Sequence, residues 1–147
     1  MWRPGFPVAE RTFAFGAGKG AAVIREGLYY TKDHEWLRMD GVEAVVGITH
    51  HAQEALGDIT FVELPKVGKA LKAHDTMLVI ESVKAASEVY APAAGVVSAV
   101  NAELDKTPEL VNQSPYDQGW LCRLSKVDTA ALAGLLTAAQ YKAGLAK

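Results

Sequence analysis

Residues 81–92 read Glu-Ser-Val-Lys-Ala-Ala-Ser-Glu-Val-Tyr-Ala-Pro, and the prediction of the fold starts from this segment. It follows residues 77–80, an apolar and partly β-branched run that is typical of a buried strand. Residues 88–90 alternate polar and apolar side chains, as a half-buried strand does, and Pro92 ends that strand. Two strands so close in sequence form a hairpin, and the pattern places Lys84 near its tip.

An earlier hairpin is predicted around Asp40 and Gly41. Residues 35–39 and 42–46 are strand-like and flank this pair. A two-residue Asp-Gly loop suits a type I′ turn, because both central residues of that turn need a positive φ.

A short helix and another strand are predicted between the two hairpins. Thr49 can cap a helix over about residues 50–56, and Gly57 is placed to end it. Residues 58–64 then form a strand that stops at Pro65.

The C-terminal part is predicted to contain loops, one strand and one helix. Residues 101–119 have the composition of a loop with short helical turns, and residues 120–124 form a last strand. Asp128 is a good cap for a helix. Apolar residues follow it at helical spacing, and we expect them to pack against the sheets; they are Leu132, Leu135, Leu136 and Ala139.

Together these elements predict a mainly β fold. About seven short strands with close turn signals favour a small β-sandwich or flattened barrel, with short helices and a C-terminal helix. We place this domain at residues 28–147. Residues 1–27 carry prolines and glycines without clear periodicity, and we predict that they form an N-terminal extension of unassigned role.

Composition narrows the classes of function. The chain has 147 residues and a formal net charge of −2. It therefore lacks the excess of positive charge that is typical of proteins that bind nucleic acid. No apolar run approaches the roughly 20 residues that a membrane helix needs. The single cysteine, Cys122, cannot form an intramolecular disulfide, which fits a reducing compartment. It falls in an alternating strand pattern, so a buried and inert thiol is expected.

Several further segments of the sequence resemble those of a known family. They occur in the same order and at the same spacings as in that family. From about residue 28 to residue 141 the chain resembles the glycine cleavage system H protein. The matching segments are YTKDHEW (30–36), VGIT (46–49), LGD (56–58), FVELP (61–65), ESVKA (81–85), YAP (90–92), PELVN (108–112), SPY (114–116) and GW (119–120).

The resemblance implies a carrier without catalytic activity of its own. Lys84 would be amide-linked to lipoate, the only cofactor implied. The lipoate-attaching enzyme would read the hairpin together with Glu81, Val83 and Ala85. No metal is implied.

The resemblance also implies three partner enzymes. A glycine decarboxylase (the P protein) would pass an aminomethyl group to the lipoyl arm. An aminomethyltransferase (the T protein) would take up the carbon and release ammonia. A dihydrolipoamide dehydrogenase (the L protein) would reoxidise the arm.

The aminomethyl group on the lipoyl arm would be labile in water and positively charged. A cleft that excludes water would protect this group, and a carboxylate in the cleft would hold it. By resemblance, Glu35 is the first candidate for that carboxylate, with His34, Ser87 and Glu88 as further candidates. The family more often has Asp at position 88. It also commonly has Gly at position 74, where His74 would be strained if the turn needs a positive φ.

Other interpretations stay open at this point. The chain could carry lipoate for a 2-oxoacid dehydrogenase, or hand lipoate on to other carriers. A more distant alternative is a metal-dependent enzyme that uses the four histidines, His34, His50, His51 and His74. The adjacent pair in that set would point apart on a helix, unlike ligands at i and i+4. The expected compartment is the cytoplasm in a bacterium, or the mitochondrial matrix in a eukaryote.

Overall fold

The computed structural model describes residues 24–145. Short strands dominate this part of the chain, in agreement with the predicted mainly β fold. The strands are β1 (Tyr29–Tyr30), β2 (Glu35–Asp40), β3 (Glu43–Ile48), β4 (Ile59–Glu63), β5 (Ala70–Leu71), β6 (Thr76–Ser82), β7 (Ala86–Tyr90), β8 (Gly95–Val100) and β9 (Cys122–Ser125). The helices are α1 (His50–Leu56), α2 (Glu103–Lys106), α3 (Leu110–Gln113), a 3-10 helix (Thr129–Gly134) and α4 (Ala138–Leu145).

The strands form two antiparallel sheets. The larger sheet has the order β1-β2-β3-β9-β8-β5, and the smaller one has the order β4-β6-β7. The chain passes from one sheet to the other several times, and the two sheets do not close into a barrel. The sandwich form of the prediction is therefore confirmed, and the flattened-barrel form is not.

Strand alternation divides the core into two parts. Leu37 on β2 and Val46 on β3 lie in the main apolar cluster, which also includes Ile80 of the smaller sheet. Their neighbours Trp36 and Val45 point to the opposite face of the larger sheet and lie in a second cluster. Both faces of β2 and β3 are thus buried, which holds the start of β2 firmly in place.

The predicted loop of the first hairpin is shifted by one residue. Asp40 pairs with Glu43, so the two loop residues are Gly41 and Val42. Gly41 has a φ of 69°, whereas Val42 is not among the described residues with a positive φ. A type II′ turn needs a positive φ at its first position alone, and glycine meets that need. The predicted type I′ turn at Asp40-Gly41 is therefore wrong.

The helix that follows β3 agrees closely with the prediction. Helix α1 spans His50–Leu56, and the Thr49 side chain accepts a hydrogen bond from the backbone N–H of Ala52. Gly57 ends the helix with a φ of 80° and a ψ of −157°. Glycine reaches this combination easily, and other residues almost never adopt it.

The predicted C-terminal helix is broken into two. Asp128 does cap a helix, but that helix is a 3-10 helix that ends at Gly134. Leu136 then forms an isolated β-bridge with Tyr30, through backbone hydrogen bonds of 2.8 and 2.9 Å. This pairing with β1 competes with helix formation, so α4 begins only at Ala138. The single apolar helical stripe expected from residue 132 to residue 139 does not form.

The end of the predicted extension packs on the domain. The Arg25 guanidinium donates to both carboxylate oxygens of Asp117, at 2.9 and 2.8 Å. The Tyr30 hydroxyl also bonds the backbone of Arg25. Residues 1–23 lie outside the described residues, so the extension as a whole stays a prediction.

Candidate functional site

The hairpin predicted around Lys84 is formed by β6 and β7. Glu81 pairs with Ala86, and the N–H of Ser82 donates to the carbonyl of Ala85 at 2.8 Å. Only Val83 and Lys84 remain between the last paired residues. The lysine therefore lies at the tip of a two-residue loop, as predicted.

A serine hydroxyl shapes this loop. The Ser82 Oγ accepts hydrogen bonds from the backbone N–H of Lys84 (3.1 Å) and from that of Ala85 (3.2 Å). Short polar side chains commonly hold turns in this way. Sequence reasoning did not assign Ser82 a role, although a serine two residues before a hairpin tip is a signal that could have found it.

A neighbouring loop supports the tip from one side. The N–H of Val83 donates to the carbonyl of Asp58 at 3.0 Å. The aliphatic stem of Lys84 passes over Gly57, where a Cβ would lie 3.4 Å from Lys84 Cε. The backbone of the hairpin tip is thus fixed on the side of helix α1.

The side chain of Lys84 itself is exposed. Within residues 24–145 it has no hydrogen bond and no ion pair. An exposed amine that has no partner in the described part of the chain, on a loop whose backbone is held in place, is accessible to an enzyme that modifies it.

The residues predicted to accompany Lys84 in recognition surround it on the surface. Val83 and Ala85 flank it in sequence, and both are exposed. Glu81 is exposed on β6, where it pairs with Phe61 of β4 as well as with Ala86. Cross-strand partners share one face of a sheet, so Glu81 and Phe61 lie side by side on the outer face.

Glu35 occupies a different environment. Its side chain is buried, with 3% of the residue exposed. One carboxylate oxygen accepts from the Thr31 hydroxyl at 2.7 Å, and the other accepts from the backbone N–H of Tyr90 at 3.0 Å. Burial raises the pKa of the Glu35 carboxyl, and these two hydrogen bonds act against that rise. The carboxylate therefore joins the start of β2 to the end of β7.

His34 precedes Glu35, but its ring faces other groups. Its Nδ1 lies 2.7 Å from the hydroxyl of Tyr141, and the ring packs on His51 with centroids 4.4 Å apart. Burial, followed by the charge of His51, lowers the pKa of His34. His34 thus supports the turn that leads into Glu35.

Ser87 and Glu88 point to opposite faces of β7, since side chains alternate along a strand. Ser87 is half-buried and pairs with Ile80. Glu88 is exposed, and one of its carboxylate oxygens accepts a hydrogen bond from Thr76 at 3.2 Å. The two side chains therefore do not lie on the same face of this strand.

The histidines predicted for the metal alternative do not assemble into one site. His51 packs on His34, whereas His50 lies 3.2 Å from Gln53 through Nδ1 and 4.0 Å from Glu54 through Nε2. The two neighbours on α1 therefore point apart, as predicted. Among residues 24–145 there is no group of three His, Cys, Asp or Glu side chains that could hold a metal ion.

The remaining predictions concern Cys122, His74 and membrane helices. Cys122 is buried, as predicted, and burial raises the pKa of its thiol to about 12, which disfavours the reactive thiolate near neutral pH. His74 has a φ of 74°, which confirms that its turn needs a positive φ. In the described part of the chain, no helix has the length and apolar character to cross a membrane.

Comparison with known proteins gives one consistent result. A family profile described as "Glycine cleavage H-protein" matches residues 28–147. A glycine cleavage system H protein from Herpetosiphon aurantiacus is 54% identical over 115 residues, which are 78% of this chain and 88% of the relative. The corresponding protein from Nitratidesulfovibrio vulgaris is 57% identical over 124 residues, which are 84% of this chain and 96% of the relative.

A solved structure agrees with these matches. A crystal structure of a glycine cleavage system H protein from Mycobacterium marinum superposes with a TM-score of 0.76 at 34% sequence identity. The superposition covers 84% of this chain and all of the other.

Proposed function

Because the chain belongs to the glycine cleavage H-protein family, a family of non-catalytic lipoyl carriers, we propose that Lys84 is its lipoyl attachment point. The protein would carry an aminomethyl group from the glycine decarboxylase to the aminomethyltransferase, and dihydrolipoamide dehydrogenase would then reoxidise it. The observation that carries this proposal is the exposed amine of Lys84, which has no partner within residues 24–145 and lies at the tip of a hydrogen-bonded two-residue loop.

The site fits a covalently attached acyl chain. The loop residues beside Lys84 are small or exposed, and the amine has no partner within the described residues that would have to be displaced. Amide formation removes the positive charge, so the modified side chain can lie against apolar surface. Lipoate, once bound, supplies a dithiolane that accepts an aminomethyl group and electrons and gives them up again.

Attachment by an enzyme requires recognition of the folded hairpin. The Ser82 hydroxyl binds the backbone N–H groups of Lys84 and Ala85. The carbonyl of Asp58, in the neighbouring loop, binds the N–H of Val83. Glu81 and Val83 present an exposed carboxylate and an exposed apolar side chain on the same hairpin. A rigid support of this kind presents the acceptor in one geometry.

The Glu35 carboxylate binds the strand that leads away from the hairpin tip. Tyr90, whose N–H binds Glu35, is six residues beyond Lys84, which is at most about 20 Å at the usual strand rise. A lysine that carries a lipoyl chain has about a dozen bonds between Cα and sulfur, which span about 15 Å when extended. An arm that lies along β7 would therefore cover most of the distance to this carboxylate.

Glu35 has the acceptor capacity to hold a cationic amine. A carboxylate has about four lone-pair sites, and the two hydrogen bonds from Thr31 and Tyr90 occupy about half of them. A bound ammonium group would favour the ionised carboxylate and offset the effect of burial on its pKa. Ser87 and Glu88 stay candidates for lesser contacts from the two faces of β7.

Reconstitution of glycine cleavage tests this function. The lipoylated protein is mixed with the decarboxylase, the aminomethyltransferase and the dehydrogenase, and glycine-dependent NADH formation is followed. We expect activity with the parent protein and with Lys72→Arg, which alters another exposed lysine, but none with Lys84→Arg. Equal activity in both variants would contradict the proposal.

A further inference from the structure

The C-terminal helix α4 reaches the site through the buried hydroxyl of Tyr141. This hydroxyl lies 2.7 Å from Nδ1 of His34 and 2.8 Å from Oγ1 of Thr49, the residue that caps α1. The Tyr141 ring stacks on that of Tyr30, with centroids 4.7 Å apart and 6° between their planes. Burial raises the pKa of Tyr141, so its hydroxyl keeps its proton near neutral pH and can donate as well as accept.

The His34 backbone needs such support. Its φ of 71° is in the left-handed region, which is uncommon for residues other than glycine. Backbone hydrogen bonds hold it from both sides, because its N–H donates to Thr31 (3.1 Å) and its carbonyl accepts from Thr49 (3.0 Å). A strained conformation persists only where its surroundings determine it. These hydrogen bonds hold the backbone of His34, and the contact with the Tyr141 hydroxyl holds its imidazole ring.

The turn held in this way carries Glu35. Glu35 follows His34 directly, and its N–H donates to Oγ1 of Thr31 at 3.1 Å. The N–H of Thr31 donates back to the carbonyl of Glu35 at 2.9 Å, and the Thr31 hydroxyl donates to the Glu35 carboxylate. Any movement of the turn over residues 31–34 therefore moves the carboxylate relative to Tyr90.

We propose that Tyr141 is a positioning residue for Glu35: by binding His34 and Thr49 it fixes the turn that holds the carboxylate against the edge of β7. Its importance for function rests on the proposed role of Glu35. The other titratable groups near the carboxylate are Asp33 and His74, and within residues 24–145 the Tyr141 hydroxyl contacts His34 and Thr49 rather than either of them. The hydrogen-bonded route through His34 is therefore the one to test.

Hydrogen exchange in the unlipoylated protein tests the proposal directly. The Tyr90 amide binds Glu35, whereas the adjacent Ala91 amide binds the carbonyl of Asp75 at 2.8 Å. We expect Tyr141→Phe, which keeps the ring and removes the hydroxyl, to raise the Tyr90-to-Ala91 ratio of exchange rates at least fivefold. Tyr30→Phe is the matched control, because it removes a buried hydroxyl from the other ring of the stack; it should leave the ratio unchanged.

Two results would overturn the proposal. One is an unchanged ratio in Tyr141→Phe, and the other is an equal rise in Tyr141→Phe and Tyr30→Phe, which would indicate general loosening. If Tyr141→Phe does not fold, His34→Asn decides the question. Asparagine tolerates a positive φ but loses the contact with Tyr141, so the ratio should again rise; an unchanged ratio would refute the proposal.

The loaded protein separates this proposal from the proposed function. If Glu35 protects the cargo, Glu35→Ala and Tyr141→Phe should both lose the aminomethyl group several times faster than the parent. If the exchange ratio rises in Tyr141→Phe but neither variant loses the group faster, the positioning role of Tyr141 stands and the cleft role of Glu35 fails.

Discussion

The stem of Lys84 lies across the backbone of Gly57, where an added Cβ would be 3.4 Å from Lys84 Cε and 3.8 Å from Cγ2 of Val83. Gly57 ends helix α1 and directly precedes Asp58, whose carbonyl binds the N–H of Val83. One glycine therefore ends a helix and also leaves space beneath the hairpin tip.

Replacement of Gly57 should lower stability. Gly57→Ala forces a residue with a Cβ into a φ of 80° and a ψ of −157°, and such backbone strain costs about 1–3 kcal/mol. The free energy of unfolding from urea titration measures this loss. Gly134→Ala is the matched control, because Gly134 has open space around its Cα and no positive φ. Equal stability of Gly57→Ala and the parent protein would contradict this explanation of the helix end.

Removal of the Ser82 hydroxyl should slow lipoylation. Ser82→Ala leaves the N–H groups of Lys84 and Ala85 without their protein acceptor, so the loop should sample other conformations. Because water can replace part of these bonds at an exposed loop, the loss of stability should be at most about 1 kcal/mol. We expect the initial rate of lipoylation to fall several-fold, and Ser82→Thr, which keeps a hydroxyl, to retain most of it. A rate equal to that of the parent in Ser82→Ala would show that the enzyme does not need the ordered loop.

The raised pKa of Glu35 predicts a pH dependence of stability. The folded protein holds this proton more tightly than the unfolded chain, whose ordinary value is 4.5. The resulting stabilisation is complete below that value and is lost as the pH rises through the raised folded pKa. Glu35→Gln cannot titrate, so it should gain stability relative to the parent as the pH rises across this window.

Urea unfolding of the unlipoylated protein at a series of pH values measures that difference. Glu63→Gln, which changes an exposed carboxylate on β4, is the control for the general effect of removing a charge. A difference between Glu35→Gln and the parent that is flat with pH would contradict the assigned burial of the carboxyl.

Local patterns made most of the fold predictable. Helix α1 has a capping threonine and a terminal glycine within nine residues. The β6–β7 hairpin combines an apolar run, an alternating run and a proline. Where each local signal agrees with its neighbours, sequence alone identifies the element.

The elements that were predicted incorrectly depend on contacts distant in sequence. Residues 132–139 have helical spacing, but Leu136 instead pairs with the backbone of Tyr30, more than a hundred residues earlier. The first hairpin was misplaced by one residue because an Asp-Gly pair and a Gly-Val pair both suit two-residue turns, and the pairing of β2 with β3 decided between them.

In the site too, features set by neighbouring residues could be predicted, and features set by contacts distant in sequence could not. The position of Lys84 at a hairpin tip could be predicted because its hairpin is local. The burial of Glu35 and its bond to Tyr90, 55 residues later, could not, and neither could the contact of Tyr141 with His34. The opposite faces taken by Ser87 and Glu88 follow from simple strand alternation, which could have separated these two candidates from the sequence.

Intact-protein mass spectrometry after incubation with a lipoate-attaching enzyme, ATP and lipoate tests the central claim most directly. We predict that the parent protein and Lys72→Arg each gain the mass of one lipoyl group, and that Lys84→Arg, which keeps the positive charge, gains none. A lipoyl mass on Lys84→Arg, or no added mass on the parent, would contradict the assignment of Lys84 as the attachment point.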